Sequence, residues 1–171
     1  TGRSDVLVGH RQLMRRPAAP GDDALLRALF VQSREDLLLL PTSVRDGLLD
    51  MQFRAQRRQL AEDFPRAEFE VLSLDGVDVG LLVTAERDGA LHVVDLIVEP
   101  ARRGQGVGTA ALRSVLAEAE AGARPVRLQV WSGNGRAREL YERLGFVAQP
   151  SGPDEGHITM EHGAGTWVSH S

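Results

Sequence analysis

The chain has 171 residues, a net charge of −4 and a composition of 42% hydrophobic and 26% charged residues, ordinary for one globular domain with a sizeable core. The slight acid excess gives no basic field for nucleic acid. There is no Cys, and all 20 basic residues are Arg, which excludes disulfides, thiolate nucleophiles, Cys-based zinc sites and a Schiff-base lysine from this chain.

No apolar run approaches the ~18 residues that a membrane span needs. No membrane partner is expected, and a cytoplasmic setting is. Residues 1–5 show no signal-peptide pattern, and residues 1–10 are expected to form a loose N-terminal arm. One domain is expected over 11–163, followed by a loose tail over 164–171.

Residues 12–15 predict a first strand, ended by Pro17 and Pro20. Asp22 or Asp23 then caps a helix carrying Leu25, Leu26, Leu29 and Phe30. Pro41 breaks the chain. Thr42 or Ser43 caps a second helix with Leu49, Phe53, Gln56 and Leu60 on one stripe. Arg54, Arg57 and Arg58 occupy its other face, which reads as solvated surface.

After Pro65 the period becomes that of strands. Residues 68–74 meet the hairpin signal Asp75-Gly76, and 77–86 return with a bulge expected at Gly80. A turn at 87–90 leads into a third strand, 91–98. A glycine-alternating loop follows, then a helix from Thr109 that buries Ala111, Leu112, Val115, Leu116 and Ala119 and ends at Gly122. Residues 126–131 form a strand. A helix with Ala137, Leu140, Tyr141 and Leu144 on one stripe closes at Gly145. Residues 146–148 and 157–161 complete the strands. The fold class is α/β: a single-domain, mixed, mostly antiparallel sheet with flanking helices. Strands 91–98 and 126–131 enclose a helix and are expected to pair in parallel.

The loop Arg103-Gly104-Gln105-Gly106-Val107-Gly108 lies between a strand and a helix. That order aims backbone N–H groups at one spot, a seat for phosphate. The spacing misses the G-x-G-x-x-G dinucleotide fingerprint by one residue, and a P-loop needs a lysine that this chain lacks. A plain turn with helix-packing glycines is the remaining alternative.

Together with its flanking strand and helix, the loop resembles the R/Q-x-x-G-x-G/A acetyl-CoA loop of the GNAT superfamily of N-acetyltransferases. A second segment, Asn134-Gly135-Arg136-Ala137-Arg138-Glu139-Leu140-Tyr141-Glu142-Arg143-Leu144-Gly145-Phe146, is similar to that family's N-x-x-A-x-x-L-Y-x-x-x-G-F. The matched part runs from about Val94 to Phe146. The resemblance implies acetyl-CoA as co-substrate, no metal, and transfer of acetyl to a primary amine of a small molecule or peptide. A homodimer is compatible with it. Two alternatives of other kinds are a non-catalytic acetyl-CoA-binding regulatory module and an acyltransferase for a longer chain.

By the same resemblance, Gly104, Gln105, Gly106, Val107, Gly108 and Thr109 hold the pyrophosphate through their N–H groups, with Arg103 beside them. Leu96, Ile97 and Val98 lie along the pantetheine arm. Asn134 and Ala137 touch the cofactor, and Asn134 also reads as a helix cap. Tyr141 is the general acid for the departing thiolate, a phenol of pKa ~10 serving a thiol near 8.5; it alternatively reads as a core tyrosine. The base is His92, Asp95 or a water chain. Strand alternation groups His92 with Val94, Leu96 and Val98, and sets Asp95 on the opposite face. Val94 stands where relatives often carry Glu. Without Cys, direct attack by the amine is favoured over an acyl-enzyme. The segment 34–64 is expected to shape the acceptor pocket.

Overall fold

The computed structural model describes residues 3–8, 11–34, 37, 39–150 and 156–163. The expected tail over 164–171, and residues 1, 2, 9 and 10 of the expected arm, lie outside them. Among the described residues, eight strands form one sheet: β1 (Arg3–Val8), β2 (Arg11–Pro17), β3 (Glu68–Leu74), β4 (Val77–Arg87), β5 (Ala90–Val98), β6 (Val126–Trp131), β7 (Val147–Ala148) and β8 (His157–His162). Their order across the sheet is β1-β2-β3-β4-β5-β6-β8-β7. Every neighbouring pair is antiparallel except β5 with β6, which is parallel, as the enclosed helix requires. Residues 3–8, placed by sequence in the loose arm, pair with β2 as an edge strand.

Among the described residues, four α-helices flank the sheet: α1 (Asp23–Ser33), α2 (Thr42–Asp63), α3 (Val107–Ala121) and α4 (Gly135–Arg143). The two helix pairs divide the core between them. Val107, Ala110, Ala111, Val115 and Ala119 of α3 pack with Leu72, Leu82, Leu91 and Leu128. Leu26 and Leu29 of α1 pack with Leu81 and Val83, joined by Phe53 and Leu60 of α2.

The turns follow their chemistry. Asp75-Gly76 (φ 50 and 80) and Asp88-Gly89 (φ 53 and 72) put two successive residues in the left-handed region, as tight hairpins demand. The expected caps differ. Asp22 does not cap α1 with its side chain. Its carboxylate takes the Ala19 N–H and two bonds from Arg16, which hold it down to about 2. Pro41, not Thr42 or Ser43, occupies the N-cap of α2. Helix α3 starts at Val107, two residues before Thr109; Gly122 ends it as the expected C-cap, and the left-handed residue behind it is Ala123 (φ 51). Arg57 leaves the expected solvated face and stacks over Phe53 and Phe69, 5.7 and 5.0 Å from the ring centres.

Two bulges shape the sheet's centre. Leu72 pairs with Gly80 but Ser73 pairs with Asp78, so the extra residue is Val79, one place before the expected Gly80. Val83 pairs with Asp95 but Thr84 pairs with Val93, which leaves Val94 as an extra residue in β5. Residues paired across strands share a face. Asp95 therefore shares the face of Val83, and His92 shares that of Ala85, the same side. The alternation expected from sequence is thereby overturned: His92 groups with Asp95 and Ile97, whereas Leu96 and Val98 join Val93 on the α3 side.

Candidate active site

The parallel pairing of β5 and β6 covers only Leu91 with Val126, His92 with Arg127 and Val93 with Leu128. Beyond it the strands part, though β5 continues to Val98 and β6 to Trp131. The Val94 bulge sits at the parting. A fork of this kind presents peptide groups that no strand neighbour takes up, and a ligand with amides of its own can pair with them.

A cleft of about 780 Å³ runs along the β5 arm of the fork. From the sheet come Asp95, Leu96, Ile97 and Val98. From the α3 head come Arg103 and Gly108, and from α4 come Asn134, Ala137, Leu140 and Tyr141. The far wall is Phe30, Ser33 and Arg34 from α1 and its C-cap, with Gln52, Ala55 and Gln56 from α2.

At the α3 head, Gly104 (φ 76) and Gly106 (φ 84) take left-handed conformations that a Cβ would strain. Gly106 is the N-cap, no side chain caps the helix, and its first turn carries no acid. A helix start leaves four N–H groups unpaired inside the helix and carries about half a positive charge. An acid in that turn would compete for those groups, and none is present. Gln105 turns aside and donates to the Ala101 carbonyl at 3.2 Å. Val107 is buried core, and Thr109 is half-buried on the first turn. Gly108 lies against Leu96 and Val98, so α3 packs close to the strand. These features fit a diphosphate.

At the α4 head, the Asn134 side chain accepts from Ala137 N–H at 3.2 Å, which bears out the capping reading. One turn further, Tyr141 is half-buried, its ring edge-on to Phe146 at 5.9 Å. Gly145 (φ 95) closes the helix and lets Phe146 turn into the core. Burial, followed by the charge of Asp95, raises the Tyr141 phenol above its ordinary value. Burial likewise pushes the Asp95 carboxyl up, partly offset by the Leu96 N–H.

His92 is not brought to this cleft. It lines a second one of about 740 Å³, with Phe64, Arg87, Arg127 and Glu161. Its ring sits 5.9 Å from Phe64, and its Nε2 lies 3.2 Å from the Arg87 carbonyl. Burial first, then Arg127 and Arg87, push its pKa below the ordinary value. Among the described residues, no cluster of His, Cys, Asp or Glu is arranged to hold a metal, and no helix is long and apolar enough to cross a membrane.

The wall residues Phe30 and Ser33 lie outside the segment expected to shape the pocket. Gln56 carried a signal: it is the polar member of an apolar stripe, and the stripe opens onto the cleft at that position.

The sequence model of the acetyltransferase (GNAT) family matches residues 38–146, well over half of the chain. The chain belongs to the GNAT acetyltransferase family. A curated relative, the mycothiol acetyltransferase of Clavibacter michiganensis subsp. michiganensis, is 39% identical over 111 residues, covering 57% of this chain and 35% of the relative. The chain thus spans about a third of the length of that relative. Among solved structures, the PaiA N-acetyltransferase of Thermoplasma acidophilum in complex with coenzyme A superposes with a TM-score of 0.66 at 14% identity, covering 88% of this chain and 98% of that one. An acetyltransferase of Thermus thermophilus also scores 0.66, at 21% identity, covering 94% and 99%. At these identities the GNAT likeness of the two structures is one of fold.

Proposed function

We propose that this GNAT chain moves acetyl from acetyl-CoA to a primary amine by direct attack. The observation that carries the reading is the shared cleft: an acidless, glycine-headed helix start, the β5 arm of a strand fork, one half-buried carboxyl and one tyrosine open onto the same space. When bound, acetyl-CoA supplies an acetyl group activated as a thioester.

The amides of residues 104–109 hold the pyrophosphate, each favourable contact contributing ~0.3–1 kcal/mol. Arg103 adds charge at the same end. Leu96, Ile97 and Val98 line the pantetheine arm from one tine of the fork, and Asn134 and Ala137 flank it from α4. Asp95 accepts the proton that the attacking amine must shed, since an ammonium of pKa ~10.4 has no lone pair to attack with. Its raised pKa makes it a better acceptor than an ordinary surface carboxylate. Tyr141 donates its phenolic proton to the sulfur as the carbon–sulfur bond breaks, then recovers a proton from solvent. Fixing the reactants in one cleft reduces the entropic cost of the encounter.

The test is a broad amine panel read by release of free thiol from acetyl-CoA. Thiol release coupled to one acceptor class supports the reading. Tight coenzyme A binding with no acceptor consumed supports a regulatory module instead.

A further inference from the structure

Beside Asp95 the cleft adjoins an apolar recess. A hollow of about 30 Å³ lies between α1, α2 and the sheet, and it shares Phe30, Gln56, Asp95 and Ile97 with the cleft. At ~10–15 Å³ for each water, that is room for about two.

The floor of the recess follows from strand register. Val83 is the β4 partner of Asp95, and Leu81 is the partner of Ile97. Residues paired in this way stand side by side on one face, so the Asp95 carboxyl has a buried valine as its neighbour. Leu26 of α1 and Phe53 and Leu60 of α2 cover the hollow from the helix side. Phe69 of β3 forms a flank. Arg57 lies across the two aromatic rings, its guanidinium carbon 5.7 and 5.0 Å from the Phe53 and Phe69 ring centres. A space walled mostly by carbon offers water few partners, and exchanging weakly held water for an alkyl group gains affinity.

We infer that this recess takes a short alkyl substituent on the carbon that bears the acceptor's amine. This deepens the function proposed above and rests on it. Position supports it, because a group on that carbon stands next to the nitrogen that gives its proton to Asp95. The face of the sheet assigns the recess to the acceptor and not to the acyl group. Asp95, Ile97, Leu81 and Val83 look toward α1 and α2, whereas Leu96 and Val98 turn to the α3 side, where the diphosphate seat lies. Size limits the substituent to a methyl or an ethyl. A larger group requires the walls to move, which a close-packed interior resists. The acceptor class is thus a primary amine on a branched carbon, with one short apolar arm.

The experiment uses the whole chain and three homologous series: 2-amino alcohols, α-amino acids and α-amino amides. Each series carries hydrogen, methyl, ethyl, isobutyl or benzyl on the amine-bearing carbon. Thiol release gives kcat/KM, and calorimetry gives coenzyme A affinity. In the series that turns over, kcat/KM is expected to rise about fourfold from hydrogen to methyl and about fourfold again to ethyl, the transfer value of one buried methylene. It falls for isobutyl and benzyl. Val83→Ile, which adds one methylene to the floor, brings the ethyl-to-hydrogen ratio down towards one. Leu60→Ala, which widens the recess, moves the optimum to isobutyl. Propionyl-CoA and butyryl-CoA replace acetyl-CoA in a parallel arm, and neither is expected to gain.

A flat or falling series in the parent protein overturns the inference without any variant. Turnover confined to amines on unsubstituted carbons does the same. So does a gain with butyryl-CoA that Val83→Ile abolishes, which would give the recess to the acyl chain. A Val83→Ile loss of equal size on every amine would mark a general change in packing and also overturns it. In each of those outcomes retained coenzyme A binding and turnover leave the acetyltransferase reading standing. No turnover with any amine removes both.

Discussion

Asp95 and Tyr141 reach the same cleft from opposite sides, one from the bulged strand β5 and one from helix α4. Burial and then the nearby Asp95 charge keep the proton on the phenol. In the proposed mechanism one group of this pair takes a proton and the other gives one. Tyr141→Phe removes the donor and keeps the ring that packs edge-on to Phe146. Turnover is expected to fall at least about tenfold, the low edge of what positioned proton transfer contributes, with coenzyme A affinity unchanged by calorimetry. Unchanged turnover would take Tyr141 out of the mechanism.

Asp95→Asn separates function from stability. Folding raises the Asp95 pKa by burial, so the folded state binds this proton more tightly than the unfolded chain does. The stabilising effect of that proton is complete below the ordinary carboxylate value and is lost as pH rises through the raised one. At neutral pH the variant is therefore expected to melt higher than the parent, and the gap narrows as pH falls. Its turnover drops by about 10²-fold or more, and the parent's turnover rises with pH through the Asp95 titration. Melting curves and rate profiles across the acid range check both signs.

Much of this was legible in the sequence. The glycine loop between strand 91–98 and its helix, the Asn134 cap, and the Asp75-Gly76 and Asp88-Gly89 turns all rest on local chemistry that spacing reveals. What escaped were non-local features. The Val94 bulge arises from how β5 registers on β4, and no residue in β5 announces it; one extra residue moved His92 onto Asp95's face. Arg57 turned inward because Phe69, on a distant strand, offers its ring. The far wall of the cleft joins α1 to α2, so Arg34 and Gln52, 18 positions apart, meet only in the fold.

Gly80 and Gly47 should respond oppositely to alanine. A Cβ on Gly80 would run into the Ile97 carbonyl oxygen, on the strand that lines the cleft. Gly80→Ala is expected to cost about 1–3 kcal/mol, as overpacked sites do. Gly47 lies inside α2 with open space around it, and Gly47→Ala should add roughly 0.5–1 kcal/mol. Urea unfolding of the two variants reads both changes.

Arg15 is 2% exposed and ties three elements together. It bonds Glu70 of β3 at 2.6 Å, and Glu118 and Ser114 of α3 at 3.0 and 3.3 Å. Arg15→Ala strands the buried Glu70 carboxylate and should cost about 3–5 kcal/mol. The pair Arg15→Met with Glu70→Leu, which removes both buried charges, should recover most of that loss in chemical denaturation. A single-variant cost under about 1 kcal/mol would show that the network contributes no more than a surface pair.

Coenzyme A and pantetheine differ by the 3′-phosphoadenosine and the diphosphate, so titrating each into the parent and into Gly106→Val tests the diphosphate seat proposed at the head of α3. Coenzyme A is expected to bind far more tightly than pantetheine, and Gly106→Val, which crowds the seat and strains a left-handed position, should bring its affinity down towards the pantetheine value. Equal affinity for the two ligands, no coenzyme A binding at millimolar concentration, or an indifferent Gly106→Val would contradict the account.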